Sequence, residues 1–207
     1  MRVVAGKWKS HVLIAPKGRD TRPTTDRVKE SMFNLLPHQL SGVVVDLFAG
    51  SGALGLEALS RGAEQAVFVD KDRRALAAVR DNLRRLDANS DALVLTGDWR
   101  LAVSRIVADF PEVAWVLLDP PYAERLWEPV FAALADKMVI TGGIVCEHPK
   151  STPLPENMYG FTRVKHRVYG DIAVSIYAQT AISHVAGAHV PDVDCDDDIE
   201  QTEERRK

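Results

Sequence analysis

The segment Val43-Val44-Val45-Asp46-Leu47-Phe48-Ala49-Gly50-Ser51-Gly52-Ala53-Leu54-Gly55 limits what this chain can fold into more than any other. Three β-branched residues predict a short buried strand. Two glycines spaced one residue apart then let the backbone turn with positive φ before a helix begins at Ala53. A strand that feeds a helix in this way is half of a βαβ unit, whose second strand must return parallel by a right-handed crossover. The same alternation repeats downstream, with β-prone runs at 43–48, 66–70, 92–96, 114–118 and 143–147 separated by helical patterns. Ala53 to Ser60 runs up to Gly62 as a C-cap, and Asp72 to Leu86 sets Leu76, Val79, Leu83 and Leu86 on one stripe. The fold expected is an open α/β sheet, mostly parallel, with helices on both faces. Phe161 to Tyr169 and Ile172 to Gln179, split by Gly170-Asp171, predict a hairpin that closes one edge antiparallel to its neighbours.

At 207 residues, 46% hydrophobic and 27% charged, the chain suits one globular domain rather than two or a disordered polymer. Residues 1–20 hold two β-prone pieces, Arg2 to Ala5 and Val12 to Ala15, and read as a small hairpin extension. Residues 21–182 form the sheet domain. It opens with a helix that starts at Thr24-Thr25-Asp26 and carries Val28, Met32, Leu35 and Leu36 on its apolar stripe. Residues 183–207 read as an acidic, disordered tail. No apolar run approaches the roughly 20 residues of a membrane span, and the N-terminus lacks the apolar core of a secretory signal. Cys146 and Cys195 are poorly placed to pair or to hold zinc. A cytoplasmic monomer without a metal is expected.

The net charge of −3 hides an asymmetry: residues 1–30 carry +5 and residues 188–207 carry −5. A basic front end suits a polyanionic partner, with Arg2, Lys7, Lys9, Arg19 and Arg22 as contacts and Trp8 among them. A merely solvated surface is the alternative reading, since a helix in this stretch would be charged on one face anyway.

The glycine loop has the context of a nucleoside site. Gly50 and Gly52 permit close backbone approach to a ligand lying across the strand end. Asp70, twenty residues beyond Gly50, ends the second strand where a carboxylate can accept both ribose hydroxyls. Gly50-x-Gly52-x-x-Gly55 also satisfies the dinucleotide fingerprint, so NAD or flavin is a rival ligand. Asp46 separates the two, since a carboxylate there is awkward beside a pyrophosphate and favourable beside an aminoacyl sulfonium. Phe48, Ala49, Ser51 and Lys71 complete the expected lining. Gly97-Asp98-Trp99 ends the third strand at the same rim; Asp98 could accept from an adenine amino group with Trp99 beside the ring, or merely make an Asx turn.

Leu117-Leu118-Asp119-Pro120-Pro121-Tyr122 follows the fourth strand. The two prolines stiffen the tip and hold Asp119 out of the helical region. An exocyclic amine on a base is a poor nucleophile while its lone pair is delocalised into the ring. The Asp119 carboxylate and the Pro120 carbonyl can each take one N–H and turn the lone pair outward, and Tyr122 offers a ring on which an extruded base can stack.

With these residues in view, the chain resembles the class I S-adenosylmethionine-dependent methyltransferases, and closely resembles the bacterial 16S ribosomal RNA guanine-N2 methyltransferase family. The resemblance rests on Arg2 to Trp8, Arg22 to Glu30, Asp46 to Ala58, Asp119 to Tyr122 and Tyr169-Gly170-Asp171, and covers the chain to about residue 180. It implies a Rossmann-like, seven-stranded, mostly parallel sheet with an antiparallel last strand, and an N-terminal hairpin that engages RNA. It implies that Asp46, Gly50 and Gly52 meet the methionine part of the cofactor, Asp70 the ribose, Asp98 the adenine, and Asp119, Pro120 and Tyr122 the target guanine, in 16S RNA of the small subunit. The acidic tail departs from the family pattern. A DNA adenine or cytosine amino-methyltransferase would use the same clamp but needs a separate recognition region. Protein amino-methyltransferases generally carry Asn where Asp119 stands. A non-catalytic RNA-binding assembly factor would not need every clamp residue.

Overall fold

The structure, a computed structural model, describes residues 1–16 and 26–180. In chain order the elements are α1 (Asp26–Phe33), β1 (Val43–Asp46), α2 (Ala53–Ser60), β2 (Gln65–Asp70), α3 (Arg73–Arg85), β3 (Ala92–Thr96) and α4 (Trp99–Asp109). They continue with β4 (Glu112–Leu118), α5 (Trp127–Lys137), β5 (Val139–Pro149), β6 (Asn157–Met158), β7 (Phe161–Tyr169) and β8 (Ile172–Gln179). The strands make one sheet in the order β3-β2-β1-β4-β5-β8-β7-β6. β1 to β5 run parallel, and β8 enters antiparallel against β5. The seven strands expected are present as β1 to β5, β7 and β8; the two-residue β6 adds an eighth beyond β7.

Period-two alternation divides the core between the two faces of the sheet. Val44, Ala66, Phe68, Leu117 and Val145 face α2, α3 and the N-terminal residues. Val45, Val67, Val116, Leu118 and Cys146 face α4 and α5. α3 begins where the sequence predicts, because the Asp72 carboxylate accepts the Arg74 N–H at 2.9 Å and caps it. β5 starts four residues earlier than its β-prone run. A Cβ at Gly142 would lie 2.5 Å from the Trp115 ring and one at Gly143 would lie 2.4 Å from the Tyr177 carbonyl. These glycines let neighbours press onto a continuous strand.

The N-terminal residues form a small hairpin: Arg2 bridges Val12 antiparallel, and the Val3 N–H donates to the His11 carbonyl at 2.9 Å. Val3 and Leu13 are buried, so the extension shares the main core. It is fastened through Glu57 of α2, whose carboxylate accepts the N–H groups of Val4 (2.8 Å) and Ala5 (3.0 Å). The same carboxylate pairs with Lys29 of α1 at 3.1 Å and Arg61 at 2.8 Å. Lys29 donates onward to the Arg2 carbonyl at 2.5 Å. Burial pulls the Lys29 ammonium below its usual range, and Glu57 pushes it back. The expected helix start at Thr24-Thr25, the acidic tail, Arg19 and Arg22 lie outside the described residues.

Candidate active site

Parallel strands end on one rim, so Asp46 (β1), Asp70 (β2), Thr96 (β3) and Leu118 (β4) bring their loops together there. The registers Asp46 to Leu117, Asp46 to Phe68 and Asp70 to Thr96 fix this alignment. At the start of the glycine loop the Ala49 N–H donates to the Val69 carbonyl at 2.9 Å, and the Gly50 N–H donates to Asp70 Oδ2 at 2.9 Å. Asp70 Oδ1 accepts the Asp72 N–H at 2.8 Å, so the carboxylate is held in one orientation at the end of its strand. Gly50 has φ +52° and Gly97 φ +149°, and a Cβ at either would meet no atom within 4 Å. Open space beside bare backbone is what a flat ligand needs. Gly55 does something different: a Cβ there would lie 2.4 Å from the Phe68 ring, so this glycine lets α2 lie close on β2.

Asp46 is 1% exposed, and its Oδ2 accepts the Gly55 N–H at 2.9 Å. Burial pushes its carboxyl up to about 7; the Gly55 N–H works against this, and the charges of Asp119 and Asp70 add to it. Asp46 therefore feels the charge of both neighbouring carboxylates.

The clamp loop closes the other side. The Leu47 N–H donates to the Leu117 carbonyl at 3.2 Å, binding the two strand ends together. Pro120 is buried, while Pro121 leads into a 3-10 turn at Tyr122–Glu124. Tyr122 is 36% exposed, and its hydroxyl donates to Oε1 of Glu147 on β5 at 3.3 Å. Lys71, which follows Asp70, pairs with Glu124 at 2.8 Å. This pair spans from the β2 end to the clamp loop, so Tyr122 and Gly50 share a rim.

Other expected residues are placed less simply. Asp98 caps α4 by accepting the Arg100 N–H at 2.8 Å, the Asx-type arrangement that the sequence leaves open. Trp99 is 6% exposed and packs in the core, with the Arg100 guanidinium 4.4 Å from its ring centroid. It lies on the α4 and α5 side of the core. Phe48 packs against the α4 and α5 side, and the Ser51 hydroxyl lies 3.7 Å from Met1 Sδ. Lys7 pairs with Asp91 at 3.6 Å and covers the Trp8 ring at 4.3 Å. The hairpin tip docks on Ser60 at the far end of α2, where the Lys7 N–H meets the Ser60 carbonyl and the Trp8 N–H meets its hydroxyl. Lys7, Trp8 and the exposed Lys9 thus sit about one helix length, roughly 12 Å, from the rim. Arg2 lies nearer α1 and pairs with Asp26 at 3.5 Å.

Three residues were missed by sequence reasoning. Glu57 and Glu147 are charges inside otherwise apolar elements, which is a readable signal in ALGLEALS and GGIVCEHP. Asn82 falls between the apolar positions of α3 and is 1% exposed; it accepts the Ile14 N–H at 2.7 Å and donates to the Ser51 carbonyl at 3.2 Å. It ties the N-terminal hairpin to the glycine loop. Among the described residues no cluster could hold a metal ion, and no helix is long and apolar enough to cross a membrane.

The comparisons with known proteins agree with this geometry. A family model described as "Conserved hypothetical protein 95" matches residues 1–178. The Bacillus subtilis protein "Putative rRNA methyltransferase YlbH" is 39% identical over 180 residues, covering 86% of this chain and 98% of its own. "Ribosomal RNA small subunit methyltransferase D" of Escherichia coli is 33% identical over 184 residues, covering 87% and 91%. A solved structure, "Putative methyltransferase yhhF from Escherichia coli", superposes with a TM-score of 0.75 at 30% identity over 87% of this chain and 98% of its own. With a glycine loop and the Asp119–Tyr122 turn on one rim and relatives along nearly its whole described length, the chain belongs to the Conserved hypothetical protein 95 family, alongside the small-subunit ribosomal RNA methyltransferases.

Proposed function

We propose that this protein transfers a methyl group from S-adenosylmethionine to the exocyclic N2 amine of a guanine in 16S ribosomal RNA. One observation carries the proposal: Asp46 and Asp70 end neighbouring strands, and Asp119 follows a third beside them, at a rim that also presents bare glycine backbone. Such a donor set fits an aminoacyl sulfonium nucleoside. S-adenosylmethionine, when bound, supplies a methyl group on a sulfonium centre. Asp70, already oriented by the Gly50 N–H, would accept the ribose hydroxyls. Asp46 would ionise beside a cation. Phe48, Ala49, Ser51, Gly52, Lys71 and Gly97 would line the cofactor, with Asp98 toward the adenine and Trp99 behind it.

On the opposite side, Asp119 and the Pro120 carbonyl would each hold one N–H of the target amine, while Pro121 stiffens the turn and Tyr122 stacks on the base. After transfer the nitrogen is cationic and acidic, so its proton leaves to water without a strong base. Positioning and fixed dipoles supply most of the acceleration. Arg2, Lys7, Trp8, Lys9, Arg19 and Arg22 are the proposed RNA contacts. The hairpin tip's distance from the rim means that bound RNA would run down the α2 side of the molecule.

The substrate is proposed to be the small ribosomal subunit, met in the cytoplasm by a monomer. A methylation assay comparing unmethylated small subunits with duplex DNA tests the proposal. Labelling of a single ribosomal guanine is expected, and labelling of DNA alone would overturn it.

A further inference from the structure

Glu147 lies outside the expected site, yet it is 3% exposed and its Oε1 accepts the Tyr122 hydroxyl at 3.3 Å. Its place in the sheet is informative. β4 and β5 pair in parallel, with Leu118 opposite Cys146, so Asp119 and Glu147 are the next residues along neighbouring strands. Neighbouring strands lie about 4.8 Å apart. Cys146 faces α4 and α5, so Glu147 faces the other side of the sheet, the one that Val145 and Leu117 share, and Asp119, which follows β4, lies within electrostatic reach of Asp46. A second carboxylate therefore stands beside the clamp, under the ring proposed to stack on the base.

Guanine presents a second donor next to its 2-amino group, the ring N1–H. Adenine has an acceptor at N1 and cytosine one at N3. A carboxylate accepts about four hydrogen bonds, so accepting from Tyr122 leaves it able to take another donor. A buried carboxylate facing a ring acceptor would instead set two lone pairs against each other where water cannot relieve them. We infer that Glu147 is the base-specificity residue of this enzyme, accepting the guanine N1–H while Asp119 and the Pro120 carbonyl hold the neighbouring amine. The inference rests on the proposed reaction and adds the reason why guanine is chosen. It also explains the Tyr122 hydroxyl, whose bond to Glu147 sets the angle of the stacking ring against the acceptor that reads the base.

The test first maps the methylated guanine, then compares small-subunit RNA carrying guanine or 2-aminopurine at that position. 2-Aminopurine keeps the 2-amino group but has an acceptor at N1. The wild-type enzyme is expected to favour guanine by at least about tenfold in kcat/KM, as sites built around a substrate donor reject the analogue lacking it. Glu147→Gln keeps an oxygen for the Tyr122 hydroxyl but offers N–H groups as well. It is expected to lose about tenfold or more on guanine and to bring the two substrates within about threefold of each other, with S-adenosylhomocysteine binding unchanged. A merely structural Glu147 would lower both rates together and keep their ratio. An unchanged ratio in Glu147→Gln, or equal wild-type rates on the two RNAs, would overturn the inference. Absence of any methylated guanine is a different result, and would overturn the reaction itself.

Discussion

Glu57 and Asp46 are both carboxylates with almost no solvent exposure, on the same side of the sheet, and they are treated in opposite ways. Glu57 touches Lys29, Arg61 and two backbone N–H groups, so its charge is answered within the fold. Asp46 has one backbone N–H, with Asp119 and Asp70 nearby adding repulsion. A buried charge with matched partners holds structure, since its desolvation is offset on the spot. A buried charge set among like charges is destabilising until something positive arrives, and such residues cluster where ligands bind. The contrast separates the part of this molecule that fastens the N-terminal hairpin from the part proposed to meet the cofactor.

The largest expected effect comes from removing the matched charge. Glu57→Gln leaves Lys29 and Arg61 buried beside a neutral amide and loosens the hairpin, and loss of one partner from such a cluster costs about 3–5 kcal/mol. Against a typical total of about 5–15 kcal/mol this endangers the fold. Urea denaturation should show the loss as a lower midpoint at unchanged slope. A midpoint within error of wild type would mean that the cluster does not hold the hairpin.

The second effect is its mirror image at the rim. Asp119→Ala should leave the denaturation midpoint and S-adenosylhomocysteine affinity near wild type while lowering turnover by about 10²–10³-fold, the usual consequence of deleting one preorganised electrostatic contact. Single-turnover methylation of small subunits measures it. Unchanged turnover would remove Asp119 from the clamp, and a large fall in stability would place it in the same class as Glu57.

Much of this contrast can be read from the residue order, and the rest for physical reasons cannot. Strand ends, glycine loop and proline turn are local signals, so pattern alone places Asp46, Asp70 and Asp119. The parallel topology then follows from connection rules. What depends on side chains far apart in sequence is hidden. Lys29 and Glu57 look like ordinary helix charges until α1 and α2 are brought together. Glu147 looks like an interruption in a strand until Tyr122 arrives from another loop. Trp99 follows Asp98 in sequence, and only tertiary packing shows that it is buried. The role of the β5 glycines is hidden too, since they admit Trp115 and Tyr177 from neighbouring strands.

The smallest effect, and the sharpest test of the contrast, concerns the proton on Asp46. Its carboxyl titrates at about 7 in the folded protein, against an ordinary value of 3.8. Below about pH 7 it is mainly protonated and cannot attract a cation; above it, the carboxylate is available to a sulfonium. S-adenosylmethionine should therefore bind more tightly at about pH 8 than at about pH 6, by up to about tenfold for a group centred between them. S-adenosylhomocysteine, whose sulfur is neutral, should change less. Stability of the ligand-free protein should move the other way, because the folded state keeps a proton that the unfolded chain has lost between about pH 4 and 7. Asp46→Asn removes both dependences. Calorimetric titration of the two ligands at these two pH values, on wild type and Asp46→Asn, reads them together. An equal pH response for the two ligands would mean that Asp46 answers the ammonium they share rather than the sulfonium, and no response to either would mean that its burial is structural, as at Glu57.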